Sequence, residues 1–115
     1  MKKEDFAYLK HILDSIYRIE DYIQEIEYED FMDNHLLQDG VIRQLEIIGE
    51  ATKMLSREIK EKYPNISWKD MAGMRDKLIH GYFGVDLDAV WDTAKKDVPR
   101  LRNEIEKIME NEKET

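Results

Sequence analysis

Apolar residues recur at three- and four-residue intervals along nearly all of this chain, and helix-breaking residues rarely interrupt them. Only helices can use such a pattern. Phe6, Leu9, Leu13, Ile16, Ile19, Ile23 and Ile26 fall on one face of a helix predicted over about residues 3–27. From Tyr28 to Asn34 the rhythm is lost, which predicts a short helical turn or loop. Leu37, Val41, Leu45, Ile48, Thr52, Leu55 and Ile59 mark a long second helix ending before Pro64, whose ring cannot continue it. Ser67, with Asp70 in capping-box position, predicts the start of a third helix over about Trp68 to His80, which Gly81 and Gly84 can end. Asp86 caps a last segment striped by Leu87, Val90, Ala94, Val98, Leu101, Ile105 and Ile108. Pro99 falls inside that stripe and predicts a kink or short break. Glu110 to Thr115 should fray.

The expected fold class is therefore all-α, an antiparallel four- to five-helix bundle in a single domain spanning residues 1–115. The stripes read first as core-facing surfaces. Helix two carries a second apolar or small track (Ile42, Ile47, Gly49, Ala51, Met54), so it needs more than one neighbour. A second copy of the chain could supply it, as a homodimer.

Several function classes fall away. With no Cys there is no disulfide framework, thiolate zinc site or cysteine nucleophile, which suits a reducing cytoplasm. Neither a signal peptide nor a run of ~20 apolar residues is present, so a soluble cytoplasmic protein is expected, with no membrane partner. His11 and His35 lack metal-ligand spacing and read as surface residues, the acidic clusters lack the order of a calcium loop, and no Gly-rich phosphate loop appears. Met54, Met71 and Met74 read as gap fillers. No metal and no cofactor is expected. The net charge of −8 repels nucleic acid as a whole, so contact with RNA needs a local basic patch.

One segment stands apart from the packing pattern: Met74-Arg75-Asp76-Lys77-Leu78-Ile79-His80-Gly81-Tyr82-Phe83. It combines a permanent cation with planar donors, a side chain that exchanges protons near neutral pH, and a phenol. That is enough to handle a phosphodiester without a metal. On one continuous helix Arg75 and His80 would sit roughly 140° apart, so a turn at Gly81, another helix or a second copy must bring them together. Cleavage of RNA by its own 2′-hydroxyl needs a base and an acid on opposite sides, and two symmetry-related His80 side chains could fill both positions. Arg75 would stabilise the extra charge on the phosphate. A purely structural account remains open, in which Arg75 pairs with Asp70, Asp76 or Asp86 and His80 caps a helix end. On helix two, Arg43, Glu46, Glu50, Lys53 and Arg57 form a charged track. It reads as a solvated face, or as phosphate contacts from Lys53 and Arg57 beside Glu46 or Glu50 orienting Arg75 or His80.

The wider wording from Trp68 to Phe83 resembles the signature of HepT-like proteins, small helical domains of the HEPN superfamily. The resemblance extends to the segment from Arg43 to Ala51 and to Asp86-Leu87-Asp88-Ala89-Val90-Trp91, and so covers essentially the whole chain. The family pattern Arg-x4-His-x-Tyr maps onto Arg75, His80 and Tyr82, with Asp76 as the polar residue after Arg. The resemblance implies an all-helical homodimer acting as a metal-independent ribonuclease toxin on RNA rather than DNA. It implies a minimal nucleotidyltransferase antitoxin as partner, transferring AMP from ATP, with Mg, onto Tyr82. The competing reading is a non-catalytic helical module that docks and regulates that nucleotidyltransferase.

Overall fold

The computed structural model describes residues 1–79 and 84–113. The helices are α1 (Lys3–Ile23), α2 (Tyr28–Asp33), α3 (His35–Met54), α4 (Arg57–Lys62), α5 (Trp68–Ala72), α6 (Met74–Leu78), α7 (Leu87–Asp92) and α8 (Val98–Lys113), with a π-helical turn at Thr93–Asp97 joining the last two. No strand occurs among the described residues, as the helical period requires.

Helix α1 is the spine of the bundle and runs antiparallel to both long partners. Asp5 at its start meets Ser56 just past the end of α3. Along the other side Tyr17 pairs with Glu106 and Glu20 with Arg102, so one sequence rises as the other falls. The phenol of Tyr17 donates to Glu106 at 2.6 Å, and chiefly that bond pushes its pKa up to about 12. Between the three long elements lies one continuous core containing Leu9, Ile12, Ile16, Ile19, Val41, Leu45, Ile48, Ile105 and Ile108. Each fully buried aliphatic side chain of this kind contributes about 1.5–3 kcal/mol. Met71 and Met74 are buried in it as gap fillers, whereas Phe6 and Met54 are exposed.

The helix boundaries depart from the sequence expectation at five places, each with a local cause. Helix α1 stops at Ile23 rather than residue 27 because Glu25 takes a left-handed φ of 61° and reverses the chain into α2. The long second helix is two helices. Its break at Leu55–Ser56 is fixed by Asp5, buried at the start of α1, which accepts from Ser56 N at 2.8 Å and Ser56 Oγ at 2.6 Å. Ser56 in turn caps α4 by accepting from Ile59 N. Ser67 makes no side-chain cap; Trp68 N donates to the Ile66 carbonyl at 2.8 Å instead. The expected third helix is divided at Gly73 and ends at Leu78, since Ile79 is already extended.

Pro99 acts upstream of itself. It has no N–H for the carbonyl four residues back, and the chain widens into the π-helical turn before the proline rather than kinking at it. Asp86 caps α7 as expected, accepting from Ala89 N at 3.0 Å.

The fifth departure is at residues 110–113, which stay helical instead of fraying; Glu114 and Thr115 lie outside the described residues. Glu112 is buried and holds Lys62 Nζ at 2.8 Å and the Tyr63 hydroxyl at 2.6 Å. These partners hold its carboxyl below the usual value of 4.5. A depressed carboxylate contributes stability that is complete above its unfolded pKa and lost as pH falls through its folded one. Glu112→Gln should therefore lower the urea midpoint at pH 7, and its deficit relative to the parent should close as pH drops below about 4.5. A deficit independent of pH would show that shape, not charge, is what the site uses.

Candidate active site

Arg75 lies on α6, a five-residue helix that owes its position to Gly73 before it and to Met74 and Leu78, both buried under α3. Gly49 of α3 faces this region. A β-carbon there would sit 3.4 Å from the carbonyl oxygens of Met71 and Ala72, at the near edge of ordinary contact. Both α5 and α6 pack against α3.

The guanidinium of Arg75 reaches the crest of α3 and donates through Nε to Glu46 Oε2 at 2.9 Å. Its side chain remains 52% exposed while that of Glu46 is 26% exposed, so the pair is anchored from below and open above. The Nε–H is thereby fixed, and the rest of the half-exposed planar fork is left for a phosphate to meet. Among the described residues the partner of Arg75 is Glu46, not Asp70, Asp76 or Asp86. Asp86 is committed to its cap, and Asp76 is exposed on α6.

His80 and Tyr82 lie outside the described residues. Their flanks are well defined: Ile79 and Val85 form an antiparallel bridge, and Asp86 N donates to the Leu78 carbonyl at 2.9 Å. The roughly 140° separation computed for a continuous helix does not apply, because the helix has ended by Ile79. Beyond the bridge, α7 is held by aromatic packing that sequence patterning did not reveal. Buried Phe31 of α2 lies 5.1 Å from the Trp91 ring, Tyr28 meets the same ring edge-on at 6.3 Å, and the Tyr28 hydroxyl donates to Asp88.

The charged track on α3 is only partly one surface. Lys53 pairs with Glu50 at 3.5 Å, and both side chains are largely exposed. Arg57 belongs to α4 and faces Glu61 on its own helix at 4.0 Å, so the break at Ser56 removes it from the line of Glu46, Glu50 and Lys53. Exposed pairs like these are worth at most about 1 kcal/mol, and an incoming phosphate could displace either. Arg43 is exposed and makes no ion pair with any described residue. His11 and His35 are surface residues, and no group of three or more metal-ligating side chains occurs among the described residues. Among the described residues, no helix is long and apolar enough to cross a membrane.

A small helical bundle that presents a carboxylate-anchored arginine at the head of an Arg-x4-His-x-Tyr sequence motif has the features of a class of ribonuclease-like helical domains. The family described as Ribonuclease HepT-like matches residues 12–108, and this chain belongs to it. Among its relatives is a Methanocaldococcus jannaschii protein named a gamma-glutamylcyclotransferase and, provisionally, an RNase. That relative is 54% identical over 96% of this chain, which spans only 50% of its length. A second protein of that organism, provisionally named an RNase, is 47% identical over 96% of this chain and 93% of its own. A Thermococcus cleftensis protein named a probable ribonuclease HepT is 47% identical over 94% of this chain and 98% of its own. No solved structure gives a significant match. Membership places the chain in a class of ribonucleases.

Proposed function

We propose that this chain is a metal-independent endoribonuclease, the toxin of a toxin–antitoxin pair, whose active site is completed between two copies. The observation that carries the reading is the Arg75–Glu46 pair, which holds a half-exposed guanidinium five residues before His80 in the chain. The reaction begins when one His80 removes the proton of an RNA 2′-hydroxyl, whose oxygen then attacks the adjacent phosphorus. The bond from phosphorus to the 5′-oxygen breaks, and the second His80 protonates that oxygen. The products are a 2′,3′-cyclic phosphate and a free 5′-hydroxyl. Arg75 balances the added charge on the non-bridging oxygens, with Glu46 as its positioning residue. Asp76, Glu50 and Lys53 border this surface as supporting residues; Arg57 stands off it. In a homodimer both histidines belong to one site, which the chemistry demands and a single copy does not supply.

Because each proton transfer is assigned to imidazole, purified protein should cut RNA in excess EDTA and leave cyclic-phosphate ends detectable by mass spectrometry. Dependence on added magnesium would defeat this mechanism.

Neutralisation is assigned to a small nucleotidyltransferase that moves AMP from ATP to the Tyr82 hydroxyl, using its own ATP and Mg. The adenylate would set a negative phosphodiester where substrate must lie and draw Arg75 into a new ion pair. Tyr82→Phe should remain active when coexpressed with the partner and gain no AMP-sized mass. Mass gain on that variant would move the acceptor elsewhere. The net charge of −8 favours a second reading, a non-catalytic module whose main ligand is the nucleotidyltransferase. The EDTA experiment separates the two.

A further inference from the structure

The crest of α3 has two sides. Arg75 reaches Glu46 from the α5–α6 side, and on the α1 side a groove of about 250 Å³ runs alongside, walled by Tyr8 and His11 and floored by Ile47. Arg43 and Glu50 also line it and stand seven residues apart on α3, which places them on nearly the same face about 10 Å apart along the axis. Ile47 lies between them, four residues from one and three from the other. Glu46 is three residues from Arg43 and four from Glu50, so the groove opens about one helical turn from the Arg75 guanidinium.

The parts match one kind of guest. An apolar floor with an aromatic wall takes the flat face of a nucleobase, because every base has a π-surface to stack. The two ends carry opposite chemistry. Arg43 offers parallel donors and has no ion-pair partner among the described residues, and Glu50 offers two acceptors. Guanine is the base with both complements: O6 and N7 accept from an arginine fork on one edge, while N1–H and the N2 amino group donate to a carboxylate on the other. Adenine presents a donor to Arg43 beside N7, and a pyrimidine is too short to reach both ends. The exposed contact between Glu50 and Lys53 is weak enough to yield.

We propose that the α1–α3 groove is a guanine-binding subsite that sets which phosphodiester of an RNA lies over Arg75. The inference rests on the ribonuclease reading for its purpose, although binding can be measured without cleavage. The test titrates 5′-GMP, AMP, CMP and UMP into the intact protein while following the Ile47 and Met54 methyl and Tyr8 and His11 ring signals by NMR. GMP should shift these signals at concentrations at least tenfold below the other three. Arg43→Ala or Glu50→Gln should abolish that preference with the rest of the spectrum unchanged, and Arg75→Ala should retain it. Inosine monophosphate, which lacks the N2 amino group, should fall between GMP and AMP.

Equal response to all four nucleotides, or shifts confined to other parts of the bundle, would overturn the subsite. So would groove signals that respond to protein concentration rather than to nucleotide, because a second copy would then occupy the groove. RNA cleavage that persists without base preference rejects the groove and spares the ribonuclease. GMP binding by a protein that cuts nothing rejects the ribonuclease and spares the groove.

Discussion

Arg75→Ala is expected to slow RNA cleavage at saturating substrate by roughly 10²- to 10³-fold, the loss typical of removing one preorganised donor from a developing oxyanion. The size follows from the environment. The guanidinium is fixed in advance by Glu46 at 2.9 Å, so it costs the reaction little reorganisation. It is also half-exposed, and water can partly replace it. Arg75→Lys should recover only part of the loss, since the donors of an ammonium share one nitrogen and cannot meet Glu46 and a phosphate with the separate, planar geometry of a guanidinium. His80→Ala should lose a comparable or larger factor, roughly 10² to 10⁴ for a proton-transfer group. Far-ultraviolet circular dichroism should be unchanged for Arg75→Ala, because removing an exposed side chain opens no cavity. Single-turnover cleavage of a labelled RNA measures the effect. Parental rates from either alanine variant would remove these residues from the chemistry.

Phe31→Ala is expected to cost about 3–5 kcal/mol, the range for deleting a large ring from a packed interior. Phe31 is fully buried and tilts at 38° onto the Trp91 ring, so the substitution would leave an unfilled space between α2 and α7. Helix α7 begins at Leu87, five residues after Tyr82 in the chain, which links this loss to the candidate site. Phe31→Leu should recover more than half of it by refilling volume. Urea unfolding followed by Trp fluorescence reads both variants. A deficit under 1 kcal/mol for the alanine variant would mean that this ring pair does not hold the two helices together.

Periodicity predicted the buried faces well because burial depends on side-chain spacing, which a sequence displays directly. Leu9, Leu13, Ile16, Ile19, Val41, Leu45, Ile48, Leu101, Ile105 and Ile108 all face the core as their spacing implies. Boundaries were less legible because tertiary partners set them. Nothing near Ser56 announces that Asp5, 51 residues earlier, will accept its N–H and hydroxyl and end α3. Likewise Glu112 looks like one more residue of a solvated tail until Lys62 and Tyr63 come up against it.

The candidate site was legible through its wording, which marks Arg75, His80 and Tyr82 together. Its geometry was not. Glu46 stood in the sequence as one of several carboxylates able to meet Arg75, and only the packing of α6 against α3 selects it. The placement of Arg57 differs for the converse reason: an unbroken helix would have kept it in line with Lys53.

The wide turn before Pro99 has a consequence for how this domain can change length. It holds one residue beyond what an ordinary helical turn accommodates, so excising any one of Thr93–Asp97 could close it into regular geometry. The helix downstream would keep its phase, because the wide turn already absorbs the extra residue: Leu101, Ile105 and Ile108 would stay in the interior and Glu112 beside Lys62. This turn is thus a place where the domain can lose one residue without repacking the helix that follows.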